Sequence, residues 1–102
     1  MNYAERMMKL EKTVEYQDWF TGLSDKLVKA RIEARIRRLQ DGNPGDVEPV
    51  GEGVSELKLQ FGSGWRVYYI ERNGKIIILL AGGNKSTQKH DIKLALTLAR
   101  NL

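Results

Sequence analysis

Residues 57 to 69 read LKLQFGSGWRVYY, in which apolar and polar residues alternate on both sides of a Gly-Ser-Gly turn. This alternation predicts the two strands of a β-hairpin, because successive side chains of a strand point to opposite faces of a sheet. A three-residue loop at residues 62 to 64 would place Leu59 opposite Val67, with the apolar partners on one face. A four-residue loop would mix apolar and polar partners, a slip that burial of one face penalises. We therefore expect the three-residue loop.

The polar face of this hairpin gathers four side chains that can contact an anion. In the expected register Lys58 lies across from Tyr68, and Gln60 lies across from Arg66. With Lys85, the lysine and the arginine would bring about three positive charges together, which is costly without an anion nearby. Tyrosine and arginine also form surfaces on which bases stack and phosphates bind. The alternative for Tyr68 is a packed aromatic side chain with a polar tip.

A third strand follows in the sequence KIIILLAG, residues 75 to 82. The turn before it contains Asn73-Gly74, the strongest short signal for a two-residue type I′ turn. That turn would pair Val67 with Leu80. Because the strand is apolar on both faces, we expect it to be central in the sheet or covered by helices.

The chain before the hairpin predicts a strand and two helices. Residues 9 to 16, KLEKTVEY, alternate in the manner of a strand. Apolar residues at helical spacing follow and are interrupted at Gly22, after which Ser24 is the expected N-cap of a longer helix. Gly42 lies where that helix should end, and residues 42 to 53, rich in glycine and proline, are expected to form a loop. The buried stripe of the longer helix is expected to be Val28, Ile32, Ile36 and Leu39.

The composition limits the class of protein. The chain has 102 residues, no cysteine and a net charge of +4, which indicates a single domain over residues 1–102 without disulfides or thiolate metal sites. Residues 1 to 8 are a possible N-terminal extension, since Met7 and Met8 are alternative starts. Neither a membrane span of roughly 18 apolar residues nor a signal-peptide core is present, so we expect a cytoplasmic protein. The charge favours a nucleic acid or an acidic protein as partner, although a mildly basic soluble domain fits equally well.

Residues 82 to 91, GGNKSTQKHD, connect the third strand to a last helix expected at residues 87 to 101. Cations here oppose the helix dipole, which is explained if a phosphate binds to free backbone N–H groups at the helix start; a solvated turn is the alternative. His90, the only histidine, suits a general acid or base or is a surface residue. With no second histidine and no cysteine, a bound metal is not expected. The polar side chains concerned are Lys85, Ser86, Thr87, Lys89 and His90, and Ser86 or Thr87 is expected to cap the helix.

The stretch LKLQFGSGWRVYYIERNGKIIILLAGGNKSTQKHDI, preceded by a helical hairpin, resembles the RelE/ParE superfamily of toxins and, within it, the HigB-like addiction module killer proteins. The resemblance covers nearly all of the chain from residue 9 to residue 102. It implies an α+β, RelE-like fold: a small, mainly antiparallel sheet with an N-terminal helical hairpin on one face and a C-terminal helix. It also implies a cognate antitoxin, expected to be a small helix-turn-helix DNA-binding protein, and no cofactor.

The RelE and HigB branches imply metal-free cleavage of messenger RNA on the ribosome through attack of the 2′-OH. By this likeness Arg66 corresponds to a strand arginine, Lys58 to a basic strand position and Lys85 to the basic residue after the last strand. Arg66 and Lys85 would stabilise the transition state. Lys58 would be the base if neighbouring cations lower its pKa, and His90 is the other candidate acid or base, because the final helix has no tyrosine. Contacts to nucleic acid are expected from Lys58, Gln60, Arg66, Tyr68, Lys85, Ser86 and Lys89.

Two other functions fit the same resemblance. One is a ParE-type toxin that binds DNA gyrase, and the other is a relative that binds RNA or the antitoxin without catalysis. The convergent face of Lys58, Arg66 and Tyr68 favours RNA cleavage over gyrase binding. We expect the antitoxin to neutralise the toxin by covering the basic face or by displacing the last helix.

Overall fold

The computed structural model describes residues 7 to 102. Strands and helices follow one another along the chain, and a short 3₁₀ turn, Lys85–Thr87, precedes the last helix. The elements are β1 (Lys9–Lys12), α1 (Val14–Thr21), α2 (Lys26–Gln40), β2 (Val47–Gly51), β3 (Val54–Lys58), β4 (Arg66–Arg72), β5 (Ile76–Gly83) and α3 (Gln88–Arg100).

The strands form one five-stranded sheet in the order β1-β5-β4-β3-β2. β1 pairs with β5 in parallel, whereas the other three pairings are antiparallel. The α+β class with a mainly antiparallel sheet is therefore confirmed. β5 lies between β1 and β4, and its residues from Ile77 onward are buried, as expected for a strand that is apolar on both faces.

Helices cover both faces of the sheet and divide the core into two halves. On one face the stripe of α2 packs, together with Tyr16 of α1, against Leu57, Val67 and Leu79. On the other face Ala95 of α3 packs against Leu80 of β5 and its neighbours. The predicted stripe of Val28, Ile32, Ile36 and Leu39 is buried throughout.

The helix boundaries differ from the expected ones at their N-termini. The first strand ends at Lys12 instead of residue 16, because Thr13 caps α1. Its hydroxyl accepts a hydrogen bond from the Tyr16 N–H at 3.0 Å and donates one to the Leu80 carbonyl at 2.6 Å. Asp25, not Ser24, caps α2, since its carboxylate accepts from two N–H groups of the first turn.

The register of the first hairpin is two residues away from the expected one. Lys58 pairs with Arg66 and Leu57 with Val67, so the expected pairing of Leu59 with Val67 is wrong. The loop spans residues 60 to 64 instead of three residues, and the Leu59 N–H donates to the Trp65 carbonyl at 2.9 Å across its base. A shift of two residues leaves every side chain on the same face, which is why the apolar pattern could not detect it.

The second hairpin has the predicted turn but not the predicted register. Asn73 and Gly74 both have positive φ angles, 57° and 63°, and the Lys75 N–H donates to the Arg72 carbonyl at 3.0 Å, as in a type I′ turn. The ladder begins one residue later and shifts again between Tyr68 and Tyr69. At the far end Arg66 therefore pairs with Gly83 and Val67 with Gly82, so the expected pairing of Val67 with Leu80 is wrong.

One strand was not expected. β2 lies within the stretch of residues 42 to 53 that was assigned to a loop, and it pairs with β3 at the edge of the sheet. Its glycines and Pro49 suggested a loop, but an edge strand tolerates proline because its outer N–H groups need no partner. Glu52 and Gly53, with φ angles of 52° and 82°, turn the chain into β3.

The start of the chain is only partly described. Residues 1 to 6, most of the possible extension, lie outside the described residues. Met8 belongs to the folded unit, because its N–H donates to the Gln40 carbonyl at 3.1 Å and its carbonyl accepts from the Gln40 side chain at 2.9 Å. Within residues 7 to 102 no helix has the length and apolar character that crossing a membrane requires.

The packing of α2 against the sheet predicts a large difference between two substitutions in that helix. Ile32 is 0% exposed, whereas Leu27 is 61% exposed. Ile32→Ala should lower the free energy of unfolding by about 2 to 5 kcal/mol, and Leu27→Ala by less than about 0.5 kcal/mol. Urea unfolding followed by circular dichroism measures both values. Equal losses would show that α2 does not bury this stripe.

Candidate functional site

Arg66 and Lys85 lie on either side of Gly64 in the loop between β3 and β4. The Arg66 Nη1 donates to the Gly64 carbonyl at 2.5 Å, and the Lys85 N–H donates to the Ser63 carbonyl at 3.2 Å. A Cβ built on Gly64 would lie 2.9 Å from Arg66 Nη1 and 3.2 Å from Lys85 Cβ. The loop thus contacts a strand arginine through its guanidinium and a lysine from a separate segment through its Cβ, and Gly64 leaves room for both.

A buried carboxylate lies beneath Arg66. Glu56 is 1% exposed, and its Oε2 accepts hydrogen bonds from Tyr68 at 2.9 Å and from Gln88 at 2.8 Å. Arg66 Nε lies 3.5 Å from the same oxygen, and the arginine side chain is 12% exposed. This Nε is buried and makes no hydrogen bond to any of residues 7 to 102. Arg66 is therefore paired electrostatically on its inner side, while Nη1 faces the loop.

Tyr68 is not available for base stacking. Its side chain is 0% exposed, and its hydroxyl donates to Glu56. Burial, and then the hydrogen bond to Glu56, raise the pKa of Tyr68 well above its ordinary value. The phenol stays protonated and acts as a donor within the core, so the expectation that Tyr68 contacts a nucleic acid is wrong for this conformation, and the packed-aromatic alternative applies.

Lys58 is paired rather than crowded by cations. Its ammonium forms an ion pair with Glu48 of β2, the strand that was not expected. The hydrogen bond to Glu48 raises the pKa of Lys58, against a smaller lowering by burial. The condition for its use as a base, a pKa lowered by neighbouring cations, is not met. Lys58 lies directly opposite Arg66, so it remains a cation of this face.

The backbone N–H groups of the 3₁₀ turn before α3 already have hydrogen-bond partners. The Ser86 N–H donates to the Asn84 side chain at 2.9 Å, the Thr87 N–H donates to the Asn84 carbonyl at 3.2 Å, and the Lys85 N–H is bonded to the loop. Asn84 caps this turn, and Thr87 at the N-cap of α3 makes no capping bond with its side chain. These three N–H groups are therefore not open to a phosphate, and binding of a phosphate at the first turn of α3 itself stays a prediction.

His90 and Asp91 form a pair at the start of α3. Asp91 is buried and accepts a hydrogen bond from the Thr87 hydroxyl, and its Oδ1 lies 3.3 Å from His90 Nδ1. The His90 side chain is 81% exposed. The Asp91 carboxylate lies over Gly83, where a Cβ would be only 1.8 Å from Oδ2. Gly83 pairs with Arg66 across the sheet. His90, which lies beside Asp91, is therefore at the same end of the sheet as Arg66.

The remaining predicted residues lie around this end. Lys85, Ser86 and Lys89 are exposed, and the ammonium groups of the two lysines have no ion-pair partner among residues 7 to 102. Gln60 is exposed in the loop, where its amide donates to Asp46 at 2.5 Å, instead of lying across from Arg66. In the described part of the chain no three His, Asp or Glu side chains are close enough together to hold a metal ion.

Sequence reasoning did not identify two of the polar residues that shape this site, the buried Glu56 and its partner Gln88 from α3. The alternation of VSELK offered one signal, since it places Glu56 on the same face as Lys58.

Comparison with known proteins identifies the family. The family described as "Phage derived protein Gp49-like" matches residues 18–101. An uncharacterized protein of Haemophilus influenzae is 45% identical over 95 residues, which cover 93% of this chain and 96% of that protein.

Two solved structures share the fold. The E. coli toxin RelE, in a mutant form and in the free state, matches with a TM-score of 0.66 at 13% identity, over 85% of this chain and 96% of that chain. The intact E. coli RelBE toxin-antitoxin complex matches with a TM-score of 0.63 at 16% identity, over 76% of this chain and 95% of that chain. At these identities the likeness shows that the chain has the RelE fold.

The buried carboxylate predicts unequal effects of two glutamate substitutions. Glu56→Gln keeps the shape but removes the charge that Arg66, Tyr68 and Gln88 face, so we expect a loss of about 1.5 to 3 kcal/mol in the free energy of unfolding. The exposed Glu48 contributes to a surface pair, and Glu48→Gln should cost less than about 1 kcal/mol. Urea unfolding at neutral pH measures both. A Glu56→Gln variant as stable as the parent would contradict the role assigned to this carboxylate.

Proposed function

The chain belongs to the family of phage-derived Gp49-like proteins, and from this membership and its RelE fold we propose that it is the toxin of a type II toxin-antitoxin module that cleaves messenger RNA on the ribosome. Support comes chiefly from the approach of Arg66 and Lys85 at Gly64. Arg66, which is paired with the buried Glu56, and the exposed Lys85 come from separate segments. Two such cations can contact one phosphate from two sides.

The proposed reaction uses the RNA's own nucleophile. The 2′-oxygen attacks the adjacent phosphorus, its proton passes to a base, and the bond from phosphorus to the 5′-oxygen breaks as that oxygen takes up a proton. The products are a 2′,3′-cyclic phosphate and a 5′-hydroxyl. Negative charge grows on the phosphorane-like transition state, and Arg66 and Lys85 stabilise it. The ribosome contributes by presenting the messenger in a geometry suitable for in-line attack.

His90 is the proposed proton carrier. The raised pKa of Lys58 keeps its amine protonated near neutral pH, which makes it a poor base and leaves it an electrostatic role. Asp91 accepts from Nδ1 of His90 when that nitrogen carries the proton, which leaves Nε2 exposed to solvent and to a substrate. An imidazole changes its charge near neutral pH and can serve as either base or acid.

Two observations favour a second candidate, a relative that binds without cutting. Glu56 partly neutralises Arg66, and the buried Tyr68 gives no stacking surface. Both facts reduce the stabilisation that the site can give to the transition state, compared with a cluster of unpaired cations. Such a protein would still bind its antitoxin, for which we propose a small DNA-binding protein with an acidic contact segment that covers the exposed Lys85 and Lys89.

Loss of either central cation should abolish most cleavage. Arg66→Ala and Lys85→Ala should each lower the rate of messenger cleavage by about 10²- to 10³-fold, because each removes a group that stabilises developing charge. Primer extension on messenger RNA with purified ribosomes measures cleavage, and growth arrest after induction measures toxicity.

Lys75→Ala is the matched control, since Lys75 is exposed in the turn at the far end of the β4–β5 hairpin. Its activity should equal that of the parent. Arg66→Ala leaves Glu56 without its cation and can destabilise the fold, so Lys85→Ala, at an exposed position, is the decisive variant. Full cleavage by Lys85→Ala would refute the nuclease proposal, and a DNA-damage response without cleavage would indicate gyrase as the target.

The pH dependence of cleavage tests His90. His90→Asn should lower the single-turnover rate by about 10²-fold or more and should remove the limb of the pH–rate profile that reports an imidazole. Because the side chain is exposed, the free energy of unfolding should change by less than about 0.5 kcal/mol. A profile of unchanged shape in the variant would assign proton transfer to another group.

A further inference from the structure

A cleft of about 340 Å³ lies between α2 and the loop of residues 60 to 64. Arginines spaced about one helical turn apart form one wall, and the loop and the end of β3 form the other. We call it the arginine cleft; its main lining residues are Arg31, Arg35, Arg38, Leu59, Gln60 and Phe61. None of the residues that line it is acidic.

Two guanidinium groups of the cleft, those of Arg35 and Arg38, both lie near Gly45. Arg35 donates to the carbonyls of Lys58 at 2.7 Å and Pro44 at 2.8 Å, which fixes its position. A Cβ built on Gly45 would lie 3.1 Å from Nη2 of Arg35 and 3.5 Å from Nη2 of Arg38. Burial and then the charge of Arg38 lower the pKa of Arg35, against a smaller opposing effect of Asp46.

The cleft also contains a cation–aromatic pair formed by Arg31 and Phe61. The guanidinium carbon of Arg31 lies 4.6 Å from the centre of the Phe61 ring. Arginine stacked on an aromatic ring presents a planar face that is electron-poor and can accept a nucleobase. The Arg38 side chain makes no hydrogen bond or ion pair with any other side chain in the described part of the chain, so its donors are free for an anion.

We propose that the arginine cleft binds the RNA strand beside the cleaved bond, with a phosphate at Arg38 and a base on the Arg31–Phe61 pair. The inference rests on the proposed function, because it concerns the same substrate. Phe61 lines the cleft, while Gly64 of the same loop lies between Arg66 and Lys85, and the Gly64 N–H donates to the Phe61 carbonyl at 3.1 Å. A strand that crosses this loop passes from one basic site to the other.

An acidic protein segment would meet the same positive charge. Two features favour RNA over such a segment: the stacked Arg31–Phe61 pair, which suits a base, and the continuity through the loop with Arg66 and Lys85. Single-stranded nucleic acids are bound in this way, by cations that follow the backbone and planar groups that stack on bases.

The test measures binding without cleavage. A short, fluorescently labelled single-stranded RNA with 2′-O-methyl sugars lacks the attacking hydroxyl, and its dissociation constant for the full chain is measured by anisotropy over a series of salt concentrations. Arg38→Ala should weaken binding and reduce the slope of log K against log salt by about 0.7, the value for one phosphate contact to a single strand. Arg31→Ala should weaken binding by about fivefold or more, through lost stacking.

Arg37→Ala is the matched control. It removes the same charge from the adjacent position of α2, but Arg37 lies in a separate groove beside Glu33, so its salt slope should equal that of the parent. Equal slopes for the Arg37 and Arg38 variants would overturn the proposal, as would a parent chain that does not bind this RNA. Unchanged RNA binding with weaker antitoxin binding by Arg38→Ala would assign the cleft to an acidic protein segment.

The outcome is separable from that of the nuclease proposal. If the Arg38→Ala slope falls as expected but the parent cleaves no messenger on ribosomes, the cleft stands and the nuclease proposal fails. If Lys85→Ala abolishes cleavage but the Arg38→Ala slope does not change, the cleft proposal fails alone.

Discussion

The hydrogen bonds to the buried Glu56 carboxylate are the interaction on which the rest of this structure depends. A carboxylate taken out of water costs several kcal/mol unless donors replace its hydration. Tyr68 from β4 and Gln88 from α3 supply two of them, and Arg66 supplies the opposite charge. In the observed register of the first hairpin, Glu56 lies directly opposite Tyr68. This register lets the Tyr68 hydroxyl reach the carboxylate. The same carboxylate joins the start of α3 to the sheet through Gln88 and lies 3.5 Å from Arg66 Nε, so it links three elements of the candidate site.

The sequence predicts which elements exist much better than how they pair. Periodicity identified the stripe of α2 and the strands β3 to β5, because burial of one face leaves a pattern in the residues. The Asn73-Gly74 pair identified the type I′ turn. A register slip of two residues leaves no such pattern in the sequence, since each side chain stays on its face of the sheet. The expected three-residue loop failed for this reason. The edge strand β2 was missed because glycine and Pro49, which indicate loops elsewhere, are tolerated at an edge.

The errors in the candidate site follow from the errors in the fold. Lys58 was considered as a base because it was expected among cations alone, yet its partner Glu48 lies on the strand that was assigned to a loop. Tyr68 was considered as a stacking surface because the polar residues of a hairpin usually face water, whereas α3 covers that face and buries it. Arg66 and the Cβ of Lys85 both lie near Gly64, because Arg66 begins β4 and Lys85 follows β5 at the same end of the sheet.

The net charge of +4 is therefore not spread evenly over the basic residues. Glu48 and Glu56 compensate cations on the sheet, whereas Lys85 after β5 and Arg38 of α2 take part in none of the ion pairs among residues 7 to 102. These two regions both adjoin the loop of residues 60 to 64. An anion small enough to bind at one region would leave the other uncompensated, whereas a chain of phosphates that crosses the loop satisfies both. The distribution of charge thus favours a polymeric ligand over an isolated ion, and it does so whether or not the site cuts what it binds.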